Sequence, residues 1–125
     1  MAGETILVVE DNEKNMKLVR DVLGFHGFRI VEAIDGESAV ALAREHLPRL
    51  ILMDIQLPGI DGIQTLQRIR ADETTKGITT VALTASVMSG DRARFDAAGF
   101  DGFIAKPIDV AQFPQQVRGY LGGAA

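Results

Sequence analysis

Leu50-Ile51-Leu52-Met53-Asp54 runs directly into Ile55-Gln56-Leu57-Pro58-Gly59-Ile60-Asp61-Gly62, and the fold can be read outward from there. Four large apolar residues follow one another without polar alternation and end on a single carboxylate. Pro48 precedes the run, and Pro58-Gly59 follows it. An unbroken apolar run between turn residues marks a strand covered on both faces, as in parallel sheets. Asp54 stands at the C-terminal end of that strand. In open α/β sheets this is the edge where ligands bind. A carboxylate among apolar neighbours is costly unless something pairs with it. The chemistry therefore depends on what else the chain brings to Asp54.

A second apolar run, Ile6-Leu7-Val8-Val9, also ends in acids, Glu10-Asp11, followed by Asn12. Met16, Val19, Val22 and Leu23 then recur at helical spacing, with Lys14, Lys17, Arg20 and Asp21 on the other side. His26-Gly27-Phe28 supplies a glycine C-cap. Arg29 to Ala33 is a shorter strand with a more polar edge, predicted to be outermost. Asp35 is the N-cap of a helix through Ala39, Val40, Ala43 and Leu47, stopped by Pro48. Asp61 caps the next helix, with Ile63, Leu66 and Ile69 on one face. Ala71 to Thr79 is polar and reads as a surface loop.

Thr80-Val81-Ala82-Leu83-Thr84 is a fourth strand. The helix expected from about Val87 to Ala98 is the weakest element: it contains Gly90, and its apolar set (Val87, Met88, Phe95, Ala98) is thin. Gly99 ends it. Phe100 to Ala105 makes a fifth strand, followed by Lys106-Pro107. The last helix is expected to be capped by Asp109 and to bury Val110, Phe113, Val117 and Leu121. Pro114 removes a backbone donor there, so this helix starts late or as a distorted turn. Five strand–helix units in strict alternation predict a parallel sheet with helices on both faces, doubly wound by right-handed crossovers.

The 125 residues suit one domain with a single chain-length core, and 46% hydrophobic with 24% charged residues is a soluble globular balance. The net charge of −4 disfavours nucleic acid and anionic membranes as partners. Without cysteine, disulfides and thiolate metal sites are excluded. No signal peptide or membrane-length apolar run is present, which makes a cytoplasmic protein the expectation.

In the expected sheet, four strand ends carry reactive side chains: Glu10 and Asp11, Asp54, Thr84, and Lys106. Carboxylates gathered beside one lysine repel one another and call for a cation. Oxygen ligands without histidine or cysteine suit a hard ion such as Mg2+. A hydroxyl (Thr84) and an ammonium (Lys106) suit the oxygens of a phosphoryl group. An Asp carboxylate can itself attack phosphorus, in a transfer that needs positioning and charge neutralisation more than acid–base chemistry.

These residues in combination resemble the response-regulator receiver domain of two-component systems, the CheY-like superfamily. The motifs are Glu10-Asp11, Met53-Asp54 followed by Leu57-Pro58 and Gly62, Leu83-Thr84-Ala85, and Lys106-Pro107. The resemblance runs from Thr5 to Leu121. Val9-Glu10-Asp11-Asn12, Ile51 to Pro58 and Lys106-Pro107-Ile108 are most similar to short stand-alone regulators of the DivK type. Receiver domains of hybrid histidine kinases share much of this wording.

The resemblance implies a flavodoxin-like (βα)5 fold with strand order 2-1-3-4-5, one receiver domain over 1–125 with its core at about 5–121. It implies that Asp54 is the phosphoacceptor. Asp11, Asp54 and the Gln56 backbone carbonyl would bind Mg2+ (or Mn2+), with Glu10 acting through water. Lys106 would pair with the carboxylate and then the phosphoryl group. Thr84 would swing toward the phosphoryl oxygen, and Phe103, the switch aromatic, would follow it. Lys106–Pro107 would be a cis peptide. The implied partners are a histidine kinase or phosphatase, a histidine phosphotransferase, and a downstream protein, such as a diguanylate-cyclase-type target, on the helix 4–strand 5–helix 5 face. Two departures stand out: Glu10 where many members have Asp, and Pro114 at the start of the last helix.

Other readings fit less well. A phosphatase with an aspartyl intermediate wants an acid two residues past its nucleophile, where this chain has Gln56. A flavin module wants phosphate-binding donors after the first strand, where Glu10-Asp11 repels phosphate. A phosphorylation-independent pseudo-receiver would not need all these residue types. A receiver excised from a hybrid kinase or larger regulator is the alternative to a stand-alone switch. His26 and His46 are expected at the surface without a chemical role.

Overall fold

The computed structural model describes residues 3–85 and 89–121. Among them, five strands alternate with five helices: β1 (Thr5–Val9), α1 (Glu13–Phe25), β2 (Arg29–Ala33), α2 (Gly36–His46), β3 (Leu50–Asp54), α3 (Gly62–Ala71), β4 (Thr79–Thr84), α4 (Ser89–Ala98), β5 (Gly102–Ala105) and α5 (Phe113–Tyr120). The strands form one parallel sheet in the order β2-β1-β3-β4-β5. The expected doubly wound topology is thus present, with β2 at an edge. No described helix is long and apolar enough to cross a membrane.

Alternation along the strands divides the core into two layers. Ile6, Val8, Leu50, Leu52, Val81, Leu83 and Ile104 pack with α1 (Met16, Val19, Leu23) and α5 (Phe113, Val117). Leu7, Val9, Ile51, Met53 and Ala82 pack with α2 (Ala39, Ala43), α3 (Leu66, Ile69) and Phe95 of α4. Successive strand side chains point to opposite faces, so a central strand with helices on both sides must be apolar throughout. This is why β3 reads as an unbroken run, and every residue of it is buried.

The helix starts follow their caps. Asn12, Asp35 and Asp61 each accept an N–H of the first turn through the side chain, from Asn15, Ser38 and Gln64 respectively. Asp61 and Gln64 form a reciprocal capping box. Gly27 and Gly99, at positive φ, close α1 and α4. There the N–H of Phe28 reaches the Leu23 carbonyl and that of Phe100 the Phe95 carbonyl.

Several expectations need correction. α2 does not run through Leu47: the helix ends at His46, and Leu47 turns to φ 46 ahead of Pro48, 54% exposed. Asp109 does not cap the last helix. Its carboxylate takes the N–H of Ala111 and Gln112 in a preceding turn, leaving Val110 52% exposed. The helix begins late, at Phe113, with Pro114 in its first turn, where the missing N–H costs nothing. Leu121 lies just past α5 and is half-buried against the α1/α5 layer. β5 starts at Gly102 rather than Phe100, because the C-terminal wrap of α4 occupies Phe100, whose ring packs edge-on against Phe95. The loop after α3 is mostly exposed, but Thr75 is buried and donates to the Ile69 carbonyl at 2.7 Å. Val87 and Met88, expected at the start of α4, lie outside the described residues.

Candidate functional site

Register brings the strand ends together. Val9 pairs with Met53, which sets Glu10 level with Asp54 on the neighbouring strand. Asp54 pairs with Leu83, and Thr84 with Ala105. The ladder continues past the strand ends, with Glu10 N–H donating to Ala33, Ile55 N–H to Leu83 and Lys106 N–H to Thr84 carbonyls. Glu10, Asp54 and Lys106 each follow by two residues a member of the α1/α5 layer (Val8, Leu52, Ile104). Alternation therefore points all three to the same face. Thr84 belongs to the opposite parity with Ala82, whose register partner is Phe103.

The geometry matches this placement. Lys106 Nζ donates to Glu10 Oε1 at 2.8 Å and to Asp54 Oδ2 at 2.9 Å. Asp54 Oδ1 accepts the Gln56 N–H at 3.0 Å, and Glu10 Oε2 accepts the Asn12 N–H at 3.2 Å. Glu10, Asp54 and Thr84 are buried, whereas Asp11 is exposed. Burial raises the Glu10 carboxyl pKa above its usual value, against the opposing bond from Lys106. Burial depresses Lys106, but its bonds to Glu10 and Asp54 outweigh this and hold the ammonium above its usual value. The Lys106–Pro107 peptide is cis.

Carboxylate oxygens of Glu10, Asp11 and Asp54 lie within 4.8 Å of one another. An all-oxygen set of this kind fits a hard divalent cation that keeps much of its water. The acids open onto a cleft of about 930 Å³, which Gln56, Thr84 and Lys106 also line. Phe103, half-buried, packs against the α2/α3/α4 layer. His26 and His46 are exposed, as expected, and do not line the cleft.

Two cleft residues, Asn15 and Arg94, were not singled out from the sequence, and Asp61 was read there only as a helix cap. Asn15 enters through the structure, where its N–H is capped by the Asn12 side chain. Arg94 belongs to the thinly patterned α4 and carried no sequence signal. Its guanidinium carbon lies 5.3 Å from the Phe95 ring centroid.

Fold and site together define a class: a doubly wound α/β protein with acids, a lysine and a threonine gathered at the C-terminal edge of its parallel sheet. The chain belongs to the response regulator receiver domain family, whose model matches residues 6–118. It is 42% identical over 121 residues to the polar-differentiation response regulator DivK of Brucella ovis, covering 97% of this chain and 98% of the relative. It is 41% identical to the DivK of Brucella anthropi over the same shares. Among solved structures, it resembles the receiver domain of the sensor histidine kinase PA1611 from Pseudomonas aeruginosa, which holds a magnesium ion in its active-site cleft. That likeness has a TM-score of 0.88 at 36% identity, over 97% of this chain and 99% of that one. The chemotaxis protein CheY4 of Vibrio cholerae shares the fold, with a TM-score of 0.89 at 22% identity over 95% and 99% of the two chains.

Proposed function

We propose that Asp54 is the phosphoacceptor of a two-component phosphorelay and that its phosphorylation switches protein–protein contacts. The single observation that carries this reading is the Lys106 ammonium bonded to Asp54 at the sheet edge, with Glu10 and Asp11 alongside. In the transfer, an Asp54 oxygen attacks the phosphorus of a phosphohistidine on a kinase or phosphotransferase. A P–O bond forms and the P–N bond breaks. Its electron pair leaves with the imidazole nitrogen, which takes up a proton.

Asp11, Asp54 and the Gln56 carbonyl would hold Mg2+, with Glu10 acting through water, as the magnesium in the PA1611 receiver supports for a related cleft. The bound ion supplies charge neutralisation for the phosphoryl oxygens. Lys106 balances negative charge and orients a phosphoryl oxygen. Thr84 donates its hydroxyl to another, and Phe103, on the same face of the sheet, responds to its movement. The added charge then biases a pre-existing equilibrium of the fold, read by a downstream protein on the α4–β5–α5 face. The chain acts as a cytoplasmic signalling switch rather than as an enzyme with a released product. Gln56, in place of a second acid, leaves no general acid to speed loss of the phosphoryl group.

The likeness to the PA1611 receiver favours a second reading, in which the same domain serves within a larger sensor kinase. The phosphoacceptor chemistry is the same in both. The test is intact-protein mass after incubation with acetyl phosphate, with Mg2+ or with chelator. A single phosphoryl adduct that requires Mg2+ supports the reading; an adduct indifferent to chelation contradicts it.

A further inference from the structure

One cation of the cleft is uncommitted. Among the described residues that line it, four are acids (Glu10, Asp11, Asp54 and Asp61) and two are basic, Lys106 and Arg94. Lys106 is bonded to Glu10 and Asp54. Arg94 has no hydrogen-bond or ion-pair partner among the described residues, although it shares the cleft with those acids. Its guanidinium carbon lies 5.3 Å from the Phe95 ring centroid. Phe95 is 2% exposed and packs edge-on against Phe100, so this contact ties the arginine to the core.

Depth and side set Arg94 apart from the rest of the site. Asp54 and Thr84 are buried, whereas Arg94 is exposed. α4 packs through Phe95 on the sheet face that carries Ala82, the residue whose parity Thr84 shares. Arg94 thus belongs to the mouth of the cleft, on the Thr84 side. In an in-line displacement the attacking and leaving atoms lie on opposite sides of phosphorus. With Asp54 at the floor, the leaving group departs outward, past the rim that Arg94 lines.

We propose that Arg94 is a specificity residue for the phosphoryl donor, favouring acyl phosphates through the carboxylate they release. The inference deepens the phosphoacceptor reading and rests on it. With an acyl phosphate, an Asp54 oxygen bonds to phosphorus, the P–O bond to the acyl oxygen breaks, and its electron pair leaves on a carboxylate. A guanidinium offers that carboxylate a planar pair of donors. With phosphoramidate, protonated at nitrogen, the P–N bond breaks and neutral ammonia leaves. The imidazole released by a phosphohistidine is neutral too. Arg94 gains nothing from either, so one side chain separates two classes of donor at a single acceptor.

The test follows intact-protein mass over time in saturating Mg2+, with acetyl phosphate and with phosphoramidate, for wild type, Arg94→Gln and Arg94→Lys. Arg94→Gln is expected to slow the acetyl phosphate reaction about 10-fold, the loss of roughly one hydrogen bond between charged groups. Its phosphoramidate reaction should keep the wild-type rate. Arg94→Lys retains the charge without the fork and should fall between the two with acetyl phosphate. An equal slowing with both donors overturns the proposal, since Arg94 would then serve the phosphoryl group, the metal or the fold. Unchanged rates with both donors, or an Arg94→Lys no faster than Arg94→Gln, also overturn it. In these outcomes wild type still takes up phosphate, and the phosphoacceptor reading stands. Wild type that accepts phosphate from neither donor refutes that reading and this inference with it.

Discussion

Gly62 packs directly against the backbone of Asp54. A Cβ at Gly62 would stand 2.7 Å from the Asp54 carbonyl oxygen and 2.8 Å from Ile55 Cα. The Gly62 N–H also donates to the Ile55 carbonyl at 2.9 Å, closing the loop that carries Gln56. The first turn of α3 therefore seats on the strand end that presents the Asp54 carboxylate.

Gly62→Ala is accordingly expected to destabilise the fold by about 1–3 kcal/mol, as overpacking against rigid backbone does. The Asp54–Gln56 region should move with it. Urea unfolding together with amide shifts of residues 54–62 would check both. A variant of wild-type stability with unshifted amides would show that the close approach is not a constraint.

Arg70 ties three segments together. Its guanidinium donates to the carbonyls of Lys76, Ile78 and Gly99 and to the Asp101 carboxylate, which also takes the Thr80 N–H. Removing it takes a donor from the Lys76 and Ile78 carbonyls ahead of β4 and from the Gly99 carbonyl just past α4. Arg70→Ala is expected to cost about 1–3 kcal/mol. Hydrogen exchange should rise first around residues 76–80 and 98–102.

The two-layer core makes Leu52 a central residue, fully buried beneath the site. Leu52→Ala is expected to cost about 2–5 kcal/mol, the transfer loss plus the cavity. Thermal unfolding reads this directly.

Asp72 gives stability a pH signature. The Thr74 hydroxyl and N–H, joined by the Arg44 guanidinium, lower its carboxyl pKa from 3.8 to about 2. A carboxyl depressed in the folded state stabilises fully above the unfolded value and loses that contribution as pH falls through the folded value. The stability gap between wild type and Asp72→Asn should thus hold from neutral pH down to about 4 and close toward pH 2. Melting midpoints across that range would show it.

The sequence was most informative where one physical demand dominates. β1 and β3 are covered on both faces, so their runs are apolar without interruption. Asp35 and Asp61 start helices, and the structure uses both as caps. Once the sheet was parallel, the strand ends Glu10, Asp54, Thr84 and Lys106 had to share an edge. Legibility fell where tertiary contacts decide. Leu47 and Val110 are apolar yet exposed, because Pro48 and the Asp109 turn end or delay their helices. The Arg70 network joins residues up to thirty-one apart, with no local pattern to announce it. The direct Glu10–Lys106 bond depends on side-chain reach across four strands, which spacing along the chain does not encode.

The most direct test of the central claim compares wild type with Asp54→Asn after exposure to acetyl phosphate and Mg2+, with peptide mass locating the adduct. The account expects one phosphoryl group in the wild type, on the peptide containing Asp54, and none in the folded Asp54→Asn protein. An equal adduct in Asp54→Asn, or one mapped to another peptide, would contradict it.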